Sequence, residues 1–163
     1  MTFSIDQFRL DGKVAIVTGA GGRGNSIGRA YALGLAAAGA SVVVADINEE
    51  GAKAVAAEIT AAGGKALGVR TDITDQASVA AMAAAAEKEF GGVDILVNNA
   101  ALMVEIVATP AIQHTTEQWN RAFAVNVTGA LNCSQAVVPL MAKRGGGKII
   151  NQVSGGAFPA STV

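Results

Sequence analysis

The sequence lacks the features that mark several classes of protein. It holds one cysteine, Cys133, so no disulfide can form within the chain, and a small buried residue is the simplest interpretation of that thiol. No apolar run approaches the ~20 residues of a membrane span. Charged residues make up 15% of the chain and the net charge is −1, without the basic stripe of a nucleic-acid binder. We therefore expect no membrane, nucleic-acid or metal partner.

The N-terminus also lacks a targeting pattern. Neither a basic segment nor an apolar segment of the secretory type is present in its first residues. We expect a cytoplasmic location.

What the sequence does contain is an alternation of strand and helix patterns over 163 residues, a length that suits one domain. The run Val42-Val43-Val44 is apolar at consecutive positions, as in a parallel strand covered by helices on both faces. Strands separated by helices require right-handed crossovers. We predict an α/β fold with a doubly wound parallel sheet, Rossmann-like and three-layered (αβα). Five strands are visible, in the order 3-2-1-4-5, near residues 13–18, 41–46, 66–70, 93–97 and 148–153. The helices between them are predicted to begin at Ser26, Asn48, Thr74-Asp75 and Thr115, the last with a capping box to Gln118, and Pro139 is expected to kink the final helical region.

A glycine-rich turn follows the first predicted strand and opens a helix. It runs from Gly19 to Gly24, then through Ser26, Ile27 and Gly28. Glycine lets backbone approach a pyrophosphate, and a helix N-terminus offers N–H groups and a positive dipole end to phosphate oxygens. The pattern predicts a dinucleotide-binding domain spanning residues 1–163.

Asp46 ends the second predicted strand, where a carboxylate can accept hydrogen bonds from an adenosine ribose. The same carboxylate would repel a 2′-phosphate, so we expect NAD as cofactor in preference to NADP. Arg23, in the glycine-rich turn, is the one nearby cation that could reach a phosphate, although a solvent-facing arginine is the simpler interpretation.

Several short motifs follow one another along the chain. Thr18-Gly19 is followed by Ile27-Gly28 in the glycine-rich turn, and Asp72-Ile73 comes after the third strand. Asn98-Asn99-Ala100-Ala101 follows the fourth strand, Asn126 lies in the next helix, and Ser154 follows the fifth strand. This series resembles the motifs of the short-chain dehydrogenase/reductase family, whose glycine motif and adenine-contacting pair are its first two members. The resemblance covers the chain from Lys13 to Ser154.

The resemblance implies an oxidoreductase that transfers a hydride between NAD(H) and a small secondary alcohol or ketone. It implies catalytic roles for Ser154, which would hydrogen-bond the substrate oxygen, and for Asn126, which would help to hold a water. It also implies a homo-oligomer, a dimer or tetramer. The implied cofactor-binding residues are Gly19, Ser26, Ile27, Asp46, Asp72, Ile73, Asn99 and Ala100.

The chain departs from the family pattern in three ways. The glycine loop is longer than the commonest form and has Ser26 where glycine is usual, a feature shared with enoyl-thioester reductases. Ala101 replaces a glycine. The family's catalytic Tyr-x-x-x-Lys is absent, since Tyr31 in the first helix is the only tyrosine. We expect the domain to be incomplete at its C-terminus, with the last strands and the Tyr/Lys helix missing, and the 163 residues to be inactive alone.

Other interpretations of the same residues stay open at this point. The lengthened glycine loop also fits an enoyl-thioester reductase. The absent Tyr-x-x-x-Lys also fits a non-catalytic nucleotide-binding or interaction fragment. Asp72 can serve as a helix-entry acid, Asn126 as a kink residue that satisfies backbone groups, and Ser154 as an ordinary turn residue.

Overall fold

A computed structural model describes residues 4–22, 24, 26–103 and 110–154 of the chain, so Arg23 lies outside the described residues. Five strands form one sheet: β1 (Val14–Thr18), β2 (Ser41–Asp46), β3 (Lys65–Arg70), β4 (Ile95–Asn98) and β5 (Lys148–Asn151). The helices are α1 (Ile27–Ala37), α2 (Glu49–Ala61), α3 (Gln76–Phe90), α4 (Thr116–Phe123) and α5 (Ala130–Lys143). Two short 3-10 turns lie at Ile5–Phe8 and Ala111–Gln113.

The sheet confirms the predicted strand order. The strands lie in the order β3-β2-β1-β4-β5, and every neighbouring pair is parallel. The order reverses between β1 and β4, because the chain runs outward to β3 on one side and to β5 on the other. In such sheets ligands bind beyond the carboxyl ends of the strands at this switch point.

The sheet is buried on both faces, as the valine runs predicted. Alternate side chains point to opposite faces, so Ile16 and Val43 join a core beneath α3 and α5, whereas Val17 and Val44 join a core beneath α1 and α2. All four side chains are 0% exposed. The result is the three-layered arrangement expected from the sequence.

Side-chain caps fix where the helices begin. Ser26 caps α1, Asn48 caps α2 and Asp75 caps α3, each accepting a hydrogen bond from a backbone N–H of the first turn. Thr115 and Gln118 form the predicted capping box at the start of α4. These caps place the beginnings of the helices within a residue or two of the predicted positions.

β4 begins at Ile95, two residues later than the sequence pattern predicts. Just before it lies Asp94, which is 5% exposed and whose side chain accepts a hydrogen bond from the Val14 N–H at 2.8 Å. Arg144 donates to the same carboxylate at 2.9 Å, and Lys13 lies 3.6 Å away. Asp94 therefore joins β1, β4 and the end of α5 at the amino edge of the sheet.

The long helical region after residue 115 is interrupted earlier than the sequence predicts. Proline is the usual cause of a helix break, but α5 continues through Pro139. The interruption is a π-helical turn at Ala124–Gly129, between α4 and α5. That turn holds Asn126, one of the predicted site residues, and π-turns are frequent at functional sites.

β5 has β4 as its one neighbour among the described strands, and Ile149 and Ile150 on it are 37% and 40% exposed. No helix in the described part of the chain is long and apolar enough to cross a membrane.

Candidate functional site

Two adjoining cavities open at the carboxyl edge of the sheet, above the switch point. The first, of about 510 Å³, lies beside Asp46 and Asp72, and the second, of about 810 Å³, lies beside Asn126 and Ser154. Residues common to both walls are Ile27, Asn99, Ala100, Ala101 and Met103. The two cavities adjoin at this shared wall and together form the cleft, which extends from the end of β2 to the segment after β5.

The turn between β1 and α1 forms the floor of the cleft and has no room for side chains at two glycines. Gly19 has φ +65°, and a Cβ built there would lie 2.6 Å from the Ala100 Cα. A Cβ on Gly28 would lie 2.5 Å from the Asn99 Nδ2. Backbone from β1, β4 and α1 is therefore packed directly together, and the first turn of α1 is left facing the cleft.

Thr18 joins β1 to the segment after β4 at the base of the cleft. Its hydroxyl donates to the Val97 carbonyl at 3.3 Å and accepts from the N–H groups of Asn99 and Ala100, both at 3.1 Å. The Asn99 amide donates to the carbonyls of Thr18 and Gly19 at 3.0 and 3.1 Å. Asn99 and Gly19 thus have structural partners that fix their positions in the cleft wall.

The Asp46 carboxylate is held by the backbone on both of its oxygens. Oδ2 accepts from the Gly21 N–H at 2.9 Å, and Oδ1 accepts from the Asn48 N–H at 2.9 Å. Each carboxylate oxygen has a second lone pair, so the carboxylate keeps its capacity to accept further hydrogen bonds from a ligand. The glycine turn and the acidic end of β2 are one connected unit.

Asp72 and Ile73 follow β3 and form the far wall of the first cavity. The hydroxyl of Thr74 donates to Asp72 at 2.7 Å and its N–H donates at 2.9 Å. These bonds lower the pKa of Asp72 below its ordinary value, so it is ionised at neutral pH. Ile73 is 8% exposed, and its carbonyl accepts from the Asn132 amide at 3.0 Å.

Asn126 reaches from the π-helical turn to the segment after β4. Its Oδ1 accepts from the Leu102 N–H at 2.7 Å, and its Nδ2 donates to the Leu102 carbonyl at 3.2 Å. Both ends of the amide are bonded to the backbone of one residue, Leu102, so the side chain holds the segment after β4 beside the π-helical turn.

A polar cluster lies behind Ser154 in the second cavity. The Asn98 amide, 7% exposed, donates to the Asn151 side chain at 2.9 Å and to the Ser134 hydroxyl at 3.3 Å. These contacts tie β4 to β5 and α5. Ser154 lines the same cavity three residues after the end of β5.

The predicted site residues divide clearly in space. Gly19, Ser26, Asp46, Asp72 and Ile73 line the first cavity. Asn126 and Ser154 line the second, and Ile27, Asn99 and Ala100 line both.

Sequence reasoning missed several residues at this edge. Thr18 was recognised only as part of a motif, although its hydroxyl organises the cleft floor. Ser134, Asn151 and Gln152 also line the second cavity. Their signal was weak because single polar residues in a helix or strand look like surface positions until the fold brings them together.

Cys133 has no place in the cleft. It is 0% exposed in the core beneath α5, and burial raises the pKa of its thiol to about 12. The thiolate form is absent at neutral pH, which confirms the interpretation of Cys133 as a core residue.

Comparisons with known proteins agree with this arrangement. The family model for short chain dehydrogenases matches residues 13–162. An uncharacterised oxidoreductase of Mycobacterium tuberculosis is 51% identical over 149 residues, covering 91% of this chain and 59% of that protein. A D-threitol dehydrogenase of Mycolicibacterium smegmatis is 42% identical over 158 residues, covering 96% and 58%.

Among solved structures, a 7α-hydroxysteroid dehydrogenase in complex with NADH and 7-oxo glycochenodeoxycholic acid superimposes with a TM-score of 0.81 at 44% identity. The match covers 91% of this chain and 55% of that one. The chain therefore spans little more than half the length of the relatives it matches. With a family model that matches nearly its whole length and a sheet of the expected order, the chain belongs to the short-chain dehydrogenase/reductase family.

Proposed function

We propose that residues 1–163 are the dinucleotide-binding domain of an oxidoreductase that transfers a hydride between NAD(H) and a secondary alcohol or ketone. The observation that carries this proposal is the cleft formed by the two adjoining cavities at the switch point. It places a carboxylate suited to a ribose, Asp46, at one end and a hydroxyl suited to a substrate oxygen, Ser154, at the other.

The cleft fits a dinucleotide on structural grounds. The turn at Gly19 and Gly28 leaves no space for a Cβ, and the N-terminus of α1 opens towards the cleft. Such a helix start presents N–H groups and a positive dipole end, both of which suit a pyrophosphate. Asp72 and Ile73 bound the side on which an adenine would lie.

The preference for NAD over NADP rests on Asp46. Its carboxylate is fixed by two backbone N–H groups, so it cannot turn away to make room for a 2′-phosphate. Repulsion and the loss of a charge-assisted bond together correspond to roughly tenfold to several hundredfold weaker binding of NADPH. Equal dissociation constants for NADH and NADPH would refute this preference.

The chemistry supplied by the bound nicotinamide is hydride transfer. Ser154 would hold the substrate oxygen by a hydrogen bond, an electrostatic contribution that strengthens as charge develops on that oxygen. Asn126 would act by positioning, since both ends of its amide hold Leu102. The sequence contains no Tyr-x-x-x-Lys, so we expect the 163 residues alone to bind NADH without turnover.

The names of the relatives support an alcohol or ketone as substrate over an enoyl thioester. The two relatives with assigned activities named above are dehydrogenases of a polyol and of a hydroxysteroid. The cavity beside Ser154 has a volume of about 810 Å³, which accommodates a small or medium-sized substrate.

A homo-oligomer and a cytoplasmic location remain part of the proposal. An exposed apolar stripe on α4, the π-helical turn and α5 supports association, since large exposed apolar patches mark contact surfaces. Its members are Trp119, Phe123, Val127, Leu131 and Val138, each 49–56% exposed. Light scattering on the protein and on Phe123→Asp tests this: the wild-type mass should be a multiple of the protomer mass, and the variant should dissociate.

The test of the main proposal is an assay of the protein expressed from its complete natural gene. It is supplied with NAD⁺ or NADH and with panels of secondary alcohols, ketones and enoyl thioesters, and the absorbance at 340 nm is followed. We expect turnover of alcohols or ketones and a loss of at least tenfold in Ser154→Ala. NADH binding without turnover of any substrate class would instead support a nucleotide-binding fragment or interaction protein.

A further inference from the structure

A hydrogen bond joins two segments that are far apart in the sequence and lie on opposite sides of the cleft. The Tyr31 hydroxyl, in α1, donates to the Gln152 Oε1, just after β5, at 2.6 Å. α1 carries the glycine turn at its N-terminus, whereas the segment after β5 carries Ser154. The bond therefore connects the expected pyrophosphate site to the expected catalytic serine.

The tyrosine side of this contact is well anchored. Tyr31 lies one helical turn after Ile27, which lines both cavities, and its ring packs against the core beneath α1 and α2. Packing restricts the ring, and so the hydroxyl is presented in a fixed direction. Removing the hydroxyl alone would leave the ring packing intact.

Gln152 links Tyr31 to the backbone next to Ser154. Its backbone N–H donates to the Asn98 carbonyl at 3.0 Å, which continues the pairing with β4 one residue beyond β5. Its Nε2 donates to the Val153 carbonyl at 2.9 Å. The side-chain amide thus bridges the Tyr31 hydroxyl and the peptide that directly precedes Ser154.

We infer that Tyr31 is a positioning residue that holds Ser154 at the substrate through Gln152. This inference rests on the proposed function. The two side-chain bonds of the Gln152 amide, with the Tyr31 hydroxyl and with the peptide before Ser154, limit how far the Ser154 backbone can move. A small displacement of a hydroxyl that binds the reacting oxygen lowers the rate of the reaction more than the affinity for cofactor.

The experiment compares four variants of the protein expressed from its complete natural gene. Tyr31→Phe removes only the donor, and Gln152→Met removes the acceptor at similar volume, and the double variant combines them. Thr60→Val is the matched control: it also deletes one hydroxyl, whose hydrogen bond to the Ala56 carbonyl (2.9 Å) lies in α2 near the amino edge. For each protein, kcat/KM for the alcohol, the Kd of NADH and hydrogen exchange of the Gln152 amide are measured.

We expect Tyr31→Phe to lower kcat/KM roughly threefold to tenfold, the range expected for one neutral hydrogen bond. The Kd of NADH should stay within about twofold, and the Gln152 amide should exchange at least about threefold faster. Gln152→Met also removes the bond to the Val153 carbonyl, so it should lower kcat/KM at least as much as Tyr31→Phe. The double variant should equal Gln152→Met, and Thr60→Val should equal the wild type.

Three results would overturn the inference: unchanged exchange at Gln152, faster exchange with unchanged kcat/KM, or losses that multiply in the double variant. Failure of the proposed function looks different, because the wild-type protein itself would then turn over no substrate. An inactive wild type contradicts both proposals, whereas an active wild type with normal variants contradicts only the role of Tyr31.

Discussion

The two edges of the sheet use polar groups in opposite ways. At the amino edge, one buried carboxylate, Asp94, is surrounded by Arg144, Lys13 and the Val14 N–H. These contacts join the start of β4 to β1 and to the end of α5. At the carboxyl edge, the buried groups are neutral, as in Thr18 and Asn98, and they border an open cleft.

From this difference we expect the amino edge to contribute to stability and the carboxyl edge to binding. At the amino edge the Asp94 carboxylate pairs with two cations and accepts a backbone hydrogen bond, which leaves a well-satisfied contact. At the carboxyl edge, amides and hydroxyls fix the backbone, while the two carboxylates that face the cleft, Asp46 and Asp72, take their bonds mainly from uncharged N–H and O–H groups. Changes at the two edges should therefore affect different measurements.

The largest effect is expected from breaking the amino edge with Asp94→Ala. The substitution leaves the Val14 N–H and the Arg144 guanidinium without their carboxylate. We expect the free energy of unfolding to fall by about 2–4 kcal/mol, measured by urea denaturation. The Kd of NADH, measured where the variant is folded, should not change.

Asp11→Asn is the matched control at the same edge. Asp11 also pairs with an arginine, Arg9, but both groups are exposed, so no measurable change in the urea midpoint is expected. Equal destabilisation by the two variants would show that burial of Asp94 is not what matters.

At the carboxyl edge, the substitution Gly28→Ala should weaken the binding of NADH. The new Cβ would lie 2.5 Å from the Asn99 Nδ2, so the glycine turn must shift. A cost of about 1–3 kcal/mol corresponds to a Kd of NADH roughly 5- to 150-fold higher, measured by fluorescence titration.

Gly34→Ala in the same helix is the matched control. It has nothing within 4 Å of the new Cβ, so it should leave binding unchanged and stabilise the protein by about 0.5–1 kcal/mol. Similar Kd values for the two variants would refute the tight packing at Gly28.

The substitution Asn126→Ala tests whether Asn126 positions the backbone at Leu102 or contacts the reacting groups directly. Loss of both bonds to Leu102 should loosen the segment after β4 and lower kcat/KM, with faster hydrogen exchange at the Leu102 amide. We expect an effect of about 1–2 kcal/mol, or roughly fivefold to thirtyfold. A loss of activity with unchanged exchange at Leu102 would instead indicate that Asn126 touches the reacting groups.

The smallest effect is a dependence on acid pH that belongs to the amino edge. Burial alone would raise the pKa of Asp94, but the hydrogen bonds from Arg144 and Val14 and the charges of Arg144 and Lys13 outweigh it and hold that pKa below its ordinary value. A carboxyl whose pKa is lower when folded stabilises the protein above the unfolded pKa of about 3.9, and the stabilisation is lost as pH falls through the folded pKa.

Urea denaturation between pH 3 and pH 7 checks this sign. Stability of the wild type should be steady near neutrality and decline below about pH 4, and Asp94→Asn should show a shallower decline. An identical decline in both proteins would assign the acid sensitivity to other carboxyls.

The sequence allowed the strands and the helix caps to be predicted because both depend on local patterns. Apolar runs such as Val42-Val43-Val44 indicate buried parallel strands, and Asn48 and Thr115 cap helices through bonds to residues close by in the chain. Asp46 was found for the same reason, since its position is fixed by the end of β2.

Contacts between distant segments were not predictable in this way. Asp94 with Arg144, Tyr31 with Gln152 and Asn126 with Leu102 are pairs of residues that only the fold brings together. Apart from Asn126, which a motif indicated, each of these residues looks like an ordinary position when its own neighbours in the sequence are considered alone.

A crystal structure of the protein with NADH bound tests the assignment of the carboxyl edge most directly. We predict the adenosine in the cavity beside Asp46 and Asp72, with a ribose hydroxyl within about 3.2 Å of the Asp46 carboxylate. The nicotinamide should lie in the cavity lined by Asn126 and Ser154. NADH bound away from this cleft, or with its ribose remote from Asp46, would contradict the account.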